Sequence, residues 1–218
     1  MKRIFFVLLV ALITACSPSV TPTPQPVFHI QASDGALPFM SDFYTCAEKY
    51  GALLVVDDIG SSDVHLQLGE PRNLDGSVYK IADEDIIVVT HPQAGVGSLT
   101  KEQIQAIYTR QYSNWKELNG NDVPILVWKY ADGEDVQSVF DQTVMGGLRT
   151  LSSARLAASA QSMSDSVGLN PGSIGILPRH WKAGNTHETY LAANVPVLAI
   201  LKSSPDDLLS EIIACVQK

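Results

Sequence analysis

One stretch of this 218-residue chain constrains its fold more than any other, the segment Ser98–Leu118 with the sequence SLTKEQIQAIYTRQYSNWKEL. Thr100 followed three residues later by Gln103 is a capping-box pattern, which predicts the start of a helix. The next turns place apolar side chains on one face at helical spacing. That face consists of Ile104, Ile107 and Tyr108. We expect Trp115 to fasten the loop after the helix onto the body of the protein.

The segments around this helix alternate between strand and helix patterns. A strand-like run at Asp85–Thr90 precedes it, and a second run at Pro124–Lys129 follows it. A further helix is predicted at Val136–Met145, and a short strand at Ile174–Pro178. This alternation is typical of α/β folds.

The first 70 residues show a related order. We predict a strand at Val27–Ala32, a helix at Leu37–Tyr50, and a strand at Ala52–Asp57 whose continuous apolar run indicates burial on both faces. Val64–Leu68 alternates as a half-buried strand does. Strands joined in this way form right-handed βαβ units, because parallel neighbours need a crossover connection.

The end of the chain predicts one more strand and one more helix. The strand is expected at Val197–Leu201. For the helix, Ser204 is the expected cap and Pro205 the first helical residue, with acidic residues in the first turn. Its apolar stripe consists of Leu208, Leu209, Ile212, Ile213 and Val216.

The segment Ser98–Leu118 and its neighbours resemble the type 2 periplasmic solute-binding proteins, in the branch that contains the phosphate-binding proteins of ABC uptake systems. That family carries the pattern SLT-x-EQ-x-x-x-I-[FY]-x(n)-NW. The matching residues here are Ser98, Leu99, Thr100, Glu102, Gln103, Ile107, Tyr108, Asn114 and Trp115. The resemblance extends from about Ile30 to Pro178, where Asn170–Pro178 is similar to the family's NPG-[AS]-IGY passage.

The resemblance implies an α/β, two-lobed type 2 periplasmic-binding-protein fold. Each lobe would be a small, mostly parallel sheet flanked by helices, with the ligand cleft between the lobes. The expected limits are residues 27–84 plus 179–218 for lobe 1 and 85–178 for lobe 2, with crossings near Asp85–Thr90 and Ile174–Pro178.

The resemblance also implies three ligand-holding loops, which correspond here to Ala32–Gly35, Leu68–Pro71 and Ala131–Val136. Relatives hold phosphate in the third loop with a Ser-Gly-Thr sequence, which acidic residues replace in this chain. The candidate ligand-binding residues are Ser33, Asp34, Gly35, Gly69, Glu70, Asp132, Gly133, Glu134 and Asp135.

The acidic residues in these loops bear on the choice of ligand. Two unit charges about 5 Å apart interact by about 3 kcal/mol at an effective dielectric constant near 20. A helix N-terminus contributes only about 0.3–2 kcal/mol. An unpaired carboxylate would therefore outweigh the helix, and tight phosphate binding requires a cation to pair it. The available candidates are Arg72, Arg149 and Arg179.

Two interpretations of the third loop stay open. In the first, Asp132 caps the helix, and Glu134 and Asp135 stabilise its first turn without a role in binding. In the second, the carboxylates belong to a site that selects a polar or cationic solute.

The N-terminus predicts export and lipid attachment. Met1–Arg3 is basic, and an apolar run from Ile4 to Ala15 follows it, which is the pattern of a secretory signal. The sequence before Cys16 resembles the lipobox of bacterial lipoproteins, so residues 1–15 would be removed and Cys16 would carry the lipid. The alternative is ordinary cleavage nearby with a free Cys16. Residues 16–26 are proline-rich and would form an extended tether.

Charge and cysteine content narrow the function further. The net charge is −8, and removal of the basic signal makes the protein more acidic, which argues against nucleic-acid binding. Cysteines tend to be oxidised outside the cytoplasm, so Cys46 and Cys215 are candidates for a disulfide. Two separate buried thiols are the alternative.

No catalytic or metal-binding motif stands out. The five histidines show no paired-ligand spacing, and neither a nucleophile elbow nor a phosphate-binding loop of nucleotide enzymes occurs. We therefore expect no catalytic residue, no metal and no cofactor.

The resemblance implies a monomeric, extracytoplasmic solute-binding protein, anchored to the cell membrane through Cys16. Its expected partners are a small polar solute or anion, and an ABC permease or a membrane sensor. The alternatives are a true phosphate or oxyanion binder, a ligand-free accessory or sensor lipoprotein, and, least favoured, an enzyme.

Overall fold

A computed structural model describes residues 24–57, 62–71 and 76–217. The predicted signal sequence, Cys16 and Arg72 lie outside these ranges. The strands within these ranges are β1 (Val27–Ala32), β2 (Leu53–Val56), β3 (Val64–Leu68), β4 (Ser77–Thr90), β5 (Leu126–Lys129), β6 (Arg155–Leu156), β7 (Ser173–Pro178) and β8 (His187–Leu201). The α-helices in the same described residues are α1 (Met40–Lys49), α2 (Lys101–Tyr108), α3 (Asp135–Phe140), α4 (Ala160–Leu169) and α5 (Asp207–Val216).

The strands form a mixed sheet in the order β2-β1-β3-β8-β4-β7-β5-β6. Parallel pairs stand at both ends of this order, β1 with β2 and β3 on one side, and β5 with β6 and β7 on the other. The long strands β4 and β8 lie between these groups and pair antiparallel along their length, with irregularities in the register. The arrangement confirms the two-lobed periplasmic-binding-protein fold predicted from the sequence.

We define the first lobe by β1–β3, α1 and α5, and the second by β5–β7 and α2–α4. The sequence suggested two small sheets, and the structure joins their strands into one ladder through β4 and β8. The return crossing is also different from the expectation. Ile174–Pro178 stays in the second lobe beside β4 and β5, and the chain returns through β8. The predicted limits 27–84 plus 179–218, and 85–178, stay a prediction.

The segment Ser98–Leu118 folds as its pattern predicts. The Thr100 hydroxyl accepts a hydrogen bond from the Gln103 amide at 3.2 Å, and the Gln103 side chain accepts one from the Thr100 amide at 2.8 Å. Trp115 is fully buried, and its indole N–H donates to the carbonyl of Gly172 at 2.8 Å. This tryptophan therefore fastens the loop after α2 to the turn that leads into β7.

Burial differs from the prediction in the first lobe. The apolar run at 52–57 was expected to be buried on both faces, but β2 stands at one edge of the sheet and, among the described residues, pairs with β1 alone. Leu53 and Val56 are each 49% exposed. In and before α1, Leu37 and Tyr44 are exposed, whereas the buried side of α1 carries Met40, Phe43, Cys46 and Ala47. Leu37 lies in the 3₁₀ helix Asp34–Phe39 that precedes α1, and Tyr44 lies just outside the buried stripe of α1.

The last helix begins two residues later than predicted. Asp206 is its cap and accepts a hydrogen bond from the Leu209 amide at 2.8 Å, so the prediction of Ser204 as cap is wrong. The buried side of α5 packs against α1. Across this contact Cys46 and Cys215 form a disulfide, with Cα atoms 5.9 Å apart and a sequence separation of 169.

Among the described residues, no helix is long and apolar enough to cross a membrane.

Candidate functional site

A cleft of about 470 Å³ lies where the two lobes meet. The loop after β3 forms one wall, α3 and the π-helical turn that continues it form the other, and β8 closes the base. Its lining residues are Gln67, Leu68, Gly69, Glu70, Pro71, Gly133, Asp135, Ser138, Val139, Gln142, Thr143, Val195 and Pro196. The charged side chains in this set are both acidic, Glu70 and Asp135. The described part of the cleft therefore offers carboxylates and neutral polar groups over an apolar base.

Asp135 connects the two walls of the cleft. Its Oδ2 accepts a hydrogen bond from the Ser33 hydroxyl at 2.5 Å and another from the Leu68 amide at 2.9 Å. Its Oδ1 accepts from the Val136 amide at 2.7 Å. Ser33 follows β1 and Leu68 is the last residue of β3, both in the first lobe, whereas Asp135 is the first residue of α3 in the second lobe. The Asp135 carboxylate thus accepts hydrogen bonds from two separate segments of the first lobe.

Asp34 makes a similar contact in the opposite direction. Its Oδ2 accepts a hydrogen bond from the backbone amide of Ala160. Ala160 is the first residue of α4, which Ser159 caps, and the first amides of a helix have no partner within the helix. A first-lobe carboxylate thus satisfies a second-lobe amide that would otherwise need water or a ligand.

The lobes approach closely beside these contacts. A Cβ atom built on Gly35 would lie 2.7 Å from Leu68 Cδ1 and 3.0 Å from Val136 Cγ2. A Cβ on Gly69 would lie 3.0 Å from Val139 Cγ2, and the φ of Gly69 is +74°. The absence of side chains at Gly35 and Gly69 therefore permits the first lobe to pack directly on α3.

Buried titratable groups surround the two carboxylates. Burial, followed by the charges of Asp34 and Asp135, raises the pKa of Tyr130 well above its ordinary value. The Tyr130 hydroxyl is buried without a hydrogen-bond partner in the described residues. Burial lowers the pKa of His65, and the charge of Asp135 opposes this shift. Among the described residues, Tyr130 and His65 are thus groups whose titration responds to these carboxylates.

The described residues contain no group of three or more His, Cys, Asp and Glu side chains placed to hold a metal ion.

Comparison with known families identifies the fold family. Residues 79–217, well over half of the chain, match the model of the PBP superfamily domain. The chain belongs to the PBP superfamily.

One curated relative of this PBP superfamily protein is a phosphate-binding protein. The phosphate-binding protein PstS of Bacillus subtilis is 26% identical over 122 residues, which is 55% of this chain and 40% of that protein. The chain therefore matches less than half the length of this curated relative. This match therefore does not assign the ligand or the partners of PstS to this chain.

Solved structures support the fold. A phosphate-bound substrate-binding protein assigned to a phosphate ABC transporter in Clostridium perfringens has a TM-score of 0.77 at 22% identity, covering 87% of this chain and 92% of that one. An ABC-type phosphate transport receptor from Vibrio cholerae has a TM-score of 0.64 at 20% identity, covering 88% and 93%. At these identities the likeness concerns the fold alone.

The structure separates the candidate residues of this PBP superfamily protein into groups. Gly69, Glu70, Gly133 and Asp135 line the cleft. The others lie as follows: Ser33, Asp34 and Gly35 at the contact between the lobes, and Asp132 and Glu134 exposed on the third loop.

The third loop differs in detail from the first of the two interpretations, in which Asp132 caps the helix. Asp132 does not cap α3, because the helix begins at Asp135 with Glu134 in the cap position and no side-chain capping bond. Asp132 instead pairs with Lys129 at 2.6 Å within the second lobe, and this contact lowers the pKa of Asp132. Glu134 and Asp135 were both predicted in the first turn of the helix, and of these two Asp135 lies there.

Sequence reasoning missed the cleft residues on α3 and on the turn after it. They include Ser138, Gln142 and Thr143. A signal was present, because Asp135, Ser138 and Gln142 follow one another at helical spacing on a face opposite the apolar one. Neither Gln67 nor the β8 residues Val195 and Pro196 carried a comparable pattern.

Proposed function

We propose that this PBP superfamily protein is an extracytoplasmic solute-binding protein of an ABC uptake system, which binds a small polar solute between its lobes. The interlobe cleft of about 470 Å³ is the observation that carries the proposal, because ligand pockets of this size suit small molecules. Relatives named as phosphate-binding or substrate-binding proteins support a carrier rather than an enzyme.

The lining of the cleft favours a neutral or cationic solute over phosphate. Glu70 and Asp135 would repel a dianion, and the charged residues of the described lining include no lysine or arginine. The amide side chains of Gln67 and Gln142 and the hydroxyl of Thr143 can donate to or accept from a polar solute. The apolar side chains of Val139 on the wall and of Val195 and Pro196 at the base suit an aliphatic portion of the solute.

A binding assay tests this proposal. Thermal-shift measurements across amino acids, polyamines, sugars and polyols should find a solute that stabilises the protein, and calorimetry should show saturation. We expect Gln142→Ala to weaken the binding of that solute by about tenfold, the loss typical of one or two hydrogen bonds. Gln161→Ala is the matched control, since Gln161 is exposed on α4 and bonds to Asp165 away from the cleft.

Two results would contradict the proposal. The first is a panel in which no neutral or cationic solute changes the unfolding temperature. The second is a solute whose affinity falls equally in Gln142→Ala and Gln161→Ala, because the binding site would then lie outside the cleft.

We also propose that the lipidated Cys16 and the tether at 16–26 hold the protein at the outer surface of the cell membrane, near its permease. The sequence pattern before Cys16 is the basis of this proposal. Metabolic labelling with a radioactive fatty acid should mark the wild-type protein and fail in Cys16→Ser. Equal labelling of the two would contradict the anchor.

A further inference from the structure

The two carboxylates between the lobes have reciprocal partners. Asp135 of the second lobe receives the Ser33 hydroxyl and the Leu68 amide of the first. Asp34 of the first lobe receives the Ala160 amide of the second. Each lobe thus supplies an anion to the donors of the other, and the pattern runs in both directions across the cleft.

These three donors are the kind that a bound oxyanion requires. Hydroxyl and backbone N–H groups converging from several loops bind anions, and charge-assisted bonds of this type are stronger than bonds between neutral groups. Here internal carboxylates already satisfy the donors. An external oxyanion would have to displace Asp135 or Asp34 and would then lie beside the charge that it displaced.

We propose that Asp34 and Asp135 act as internal ligands that clasp the two lobes together without a bound solute and exclude oxyanions from the contact between them. We call this pair the carboxylate clasp. The inference goes beyond the proposed solute site and does not depend on it, because the clasp requires neither a particular solute nor a permease.

Packing beside the clasp supports a closed ligand-free state. The short distances around Gly35 and Gly69 bring α3 against the loops of the first lobe. Because Ser33, which donates to Asp135, directly precedes Asp34 in the chain, breaking one contact should weaken the other. This coupling distinguishes a clasp from two independent surface hydrogen bonds.

Amide hydrogen exchange in the ligand-free protein tests the coupling. We expect Asp135→Ala to raise the exchange rate at Leu68, its direct partner, and also at Ala160, the partner of Asp34. Asp34→Ala should raise both rates in the same way. The expected increase is about tenfold or more at each amide, since a hydrogen bond to a charged group often changes an equilibrium by that factor.

Asp132→Ala is the matched control, because it removes a carboxylate from the same loop whose ion pair stays within the second lobe. It should leave both exchange rates unchanged. Ser33→Ala removes only a hydroxyl, and we expect a smaller increase at both amides. This milder variant keeps the test available if the aspartate variants do not fold.

Small-angle scattering supplies the second measurement. The wild-type protein and Asp132→Ala should have the same radius of gyration, and Asp34→Ala/Asp135→Ala a larger one because its lobes separate. If each aspartate variant changes exchange only at its own partner, or if the double variant stays as compact as the wild type, the clasp is wrong. Failure of the solute panel described above would leave this result unaffected.

Discussion

Trp115→Ala is expected to lower the free energy of unfolding by about 3–5 kcal/mol, the range for removing a large aromatic side chain from a core. Trp115 is fully buried, and its indole N–H bonds to the Gly172 carbonyl at 2.8 Å. The substitution therefore creates a cavity and leaves a carbonyl without its partner, so both losses act together. Urea denaturation followed by circular dichroism measures the effect.

Two further variants separate these contributions. Trp115→Phe keeps most of the apolar surface and should cost about 1–3 kcal/mol, mainly for the lost hydrogen bond. Trp181→Ala should cost less than Trp115→Ala, because Trp181 is only partly buried and its indole N–H has no partner in the described residues. Equal denaturation midpoints for wild type and Trp115→Ala would contradict the assigned role of this residue.

Loss of the Cys46–Cys215 disulfide is the second large effect. The bond joins residues 169 positions apart, so it restricts the unfolded chain strongly. We expect Cys46→Ala/Cys215→Ala to lower the free energy of unfolding by about 2–5 kcal/mol. Denaturation with and without reductant, compared with the double variant, measures this effect.

The reductant should shift the midpoint of the wild-type protein and leave the double variant unchanged. Alkylation of the unreduced wild-type protein should label neither Cys46 nor Cys215. Labelling of both cysteines, or identical midpoints with and without reductant, would show that the bond is absent in solution.

The parts of the fold that the sequence predicted well are those in which local signals agree. The capping box at Thr100 and the apolar face of α2 point to the same helix, and the bulky Trp115 follows at the expected place. Local preferences suffice for this helix because the two partners of the capping box, Thr100 and Gln103, lie three residues apart.

The errors arise where burial depends on distant strands. The run at 52–57 is apolar enough for a central strand, yet β2 stands at the edge of the sheet. Its position depends on the order of the strands, since β1 pairs with β3 on its other side and β3 in turn pairs with β8, which lies much farther along the chain. The same reason explains the missed length of β8, whose pairing with β4 extends over nearly the whole of both strands.

The candidate site was likewise predicted in part, and its contacts between the lobes were not. The resemblance located Asp34 and Asp135 in ligand-holding loops, and the acidic replacement argued against phosphate. Sequence alone, however, treated Asp135 as a helix-stabilising charge or as part of a solute site. Its bonds to Ser33 and Leu68 cross the lobes, and no spacing along the chain encodes such contacts.

Titration of inorganic phosphate into the purified wild-type protein, followed by calorimetry, tests the central claim most directly. If Asp34 and Asp135 occupy the donors between the lobes, phosphate should produce no saturable heat up to about 1 mM, the concentration at which a complex is worth only about 4 kcal/mol. A dissociation constant in the micromolar range or tighter would contradict the claim, because phosphate could then reach the donors that the two carboxylates hold.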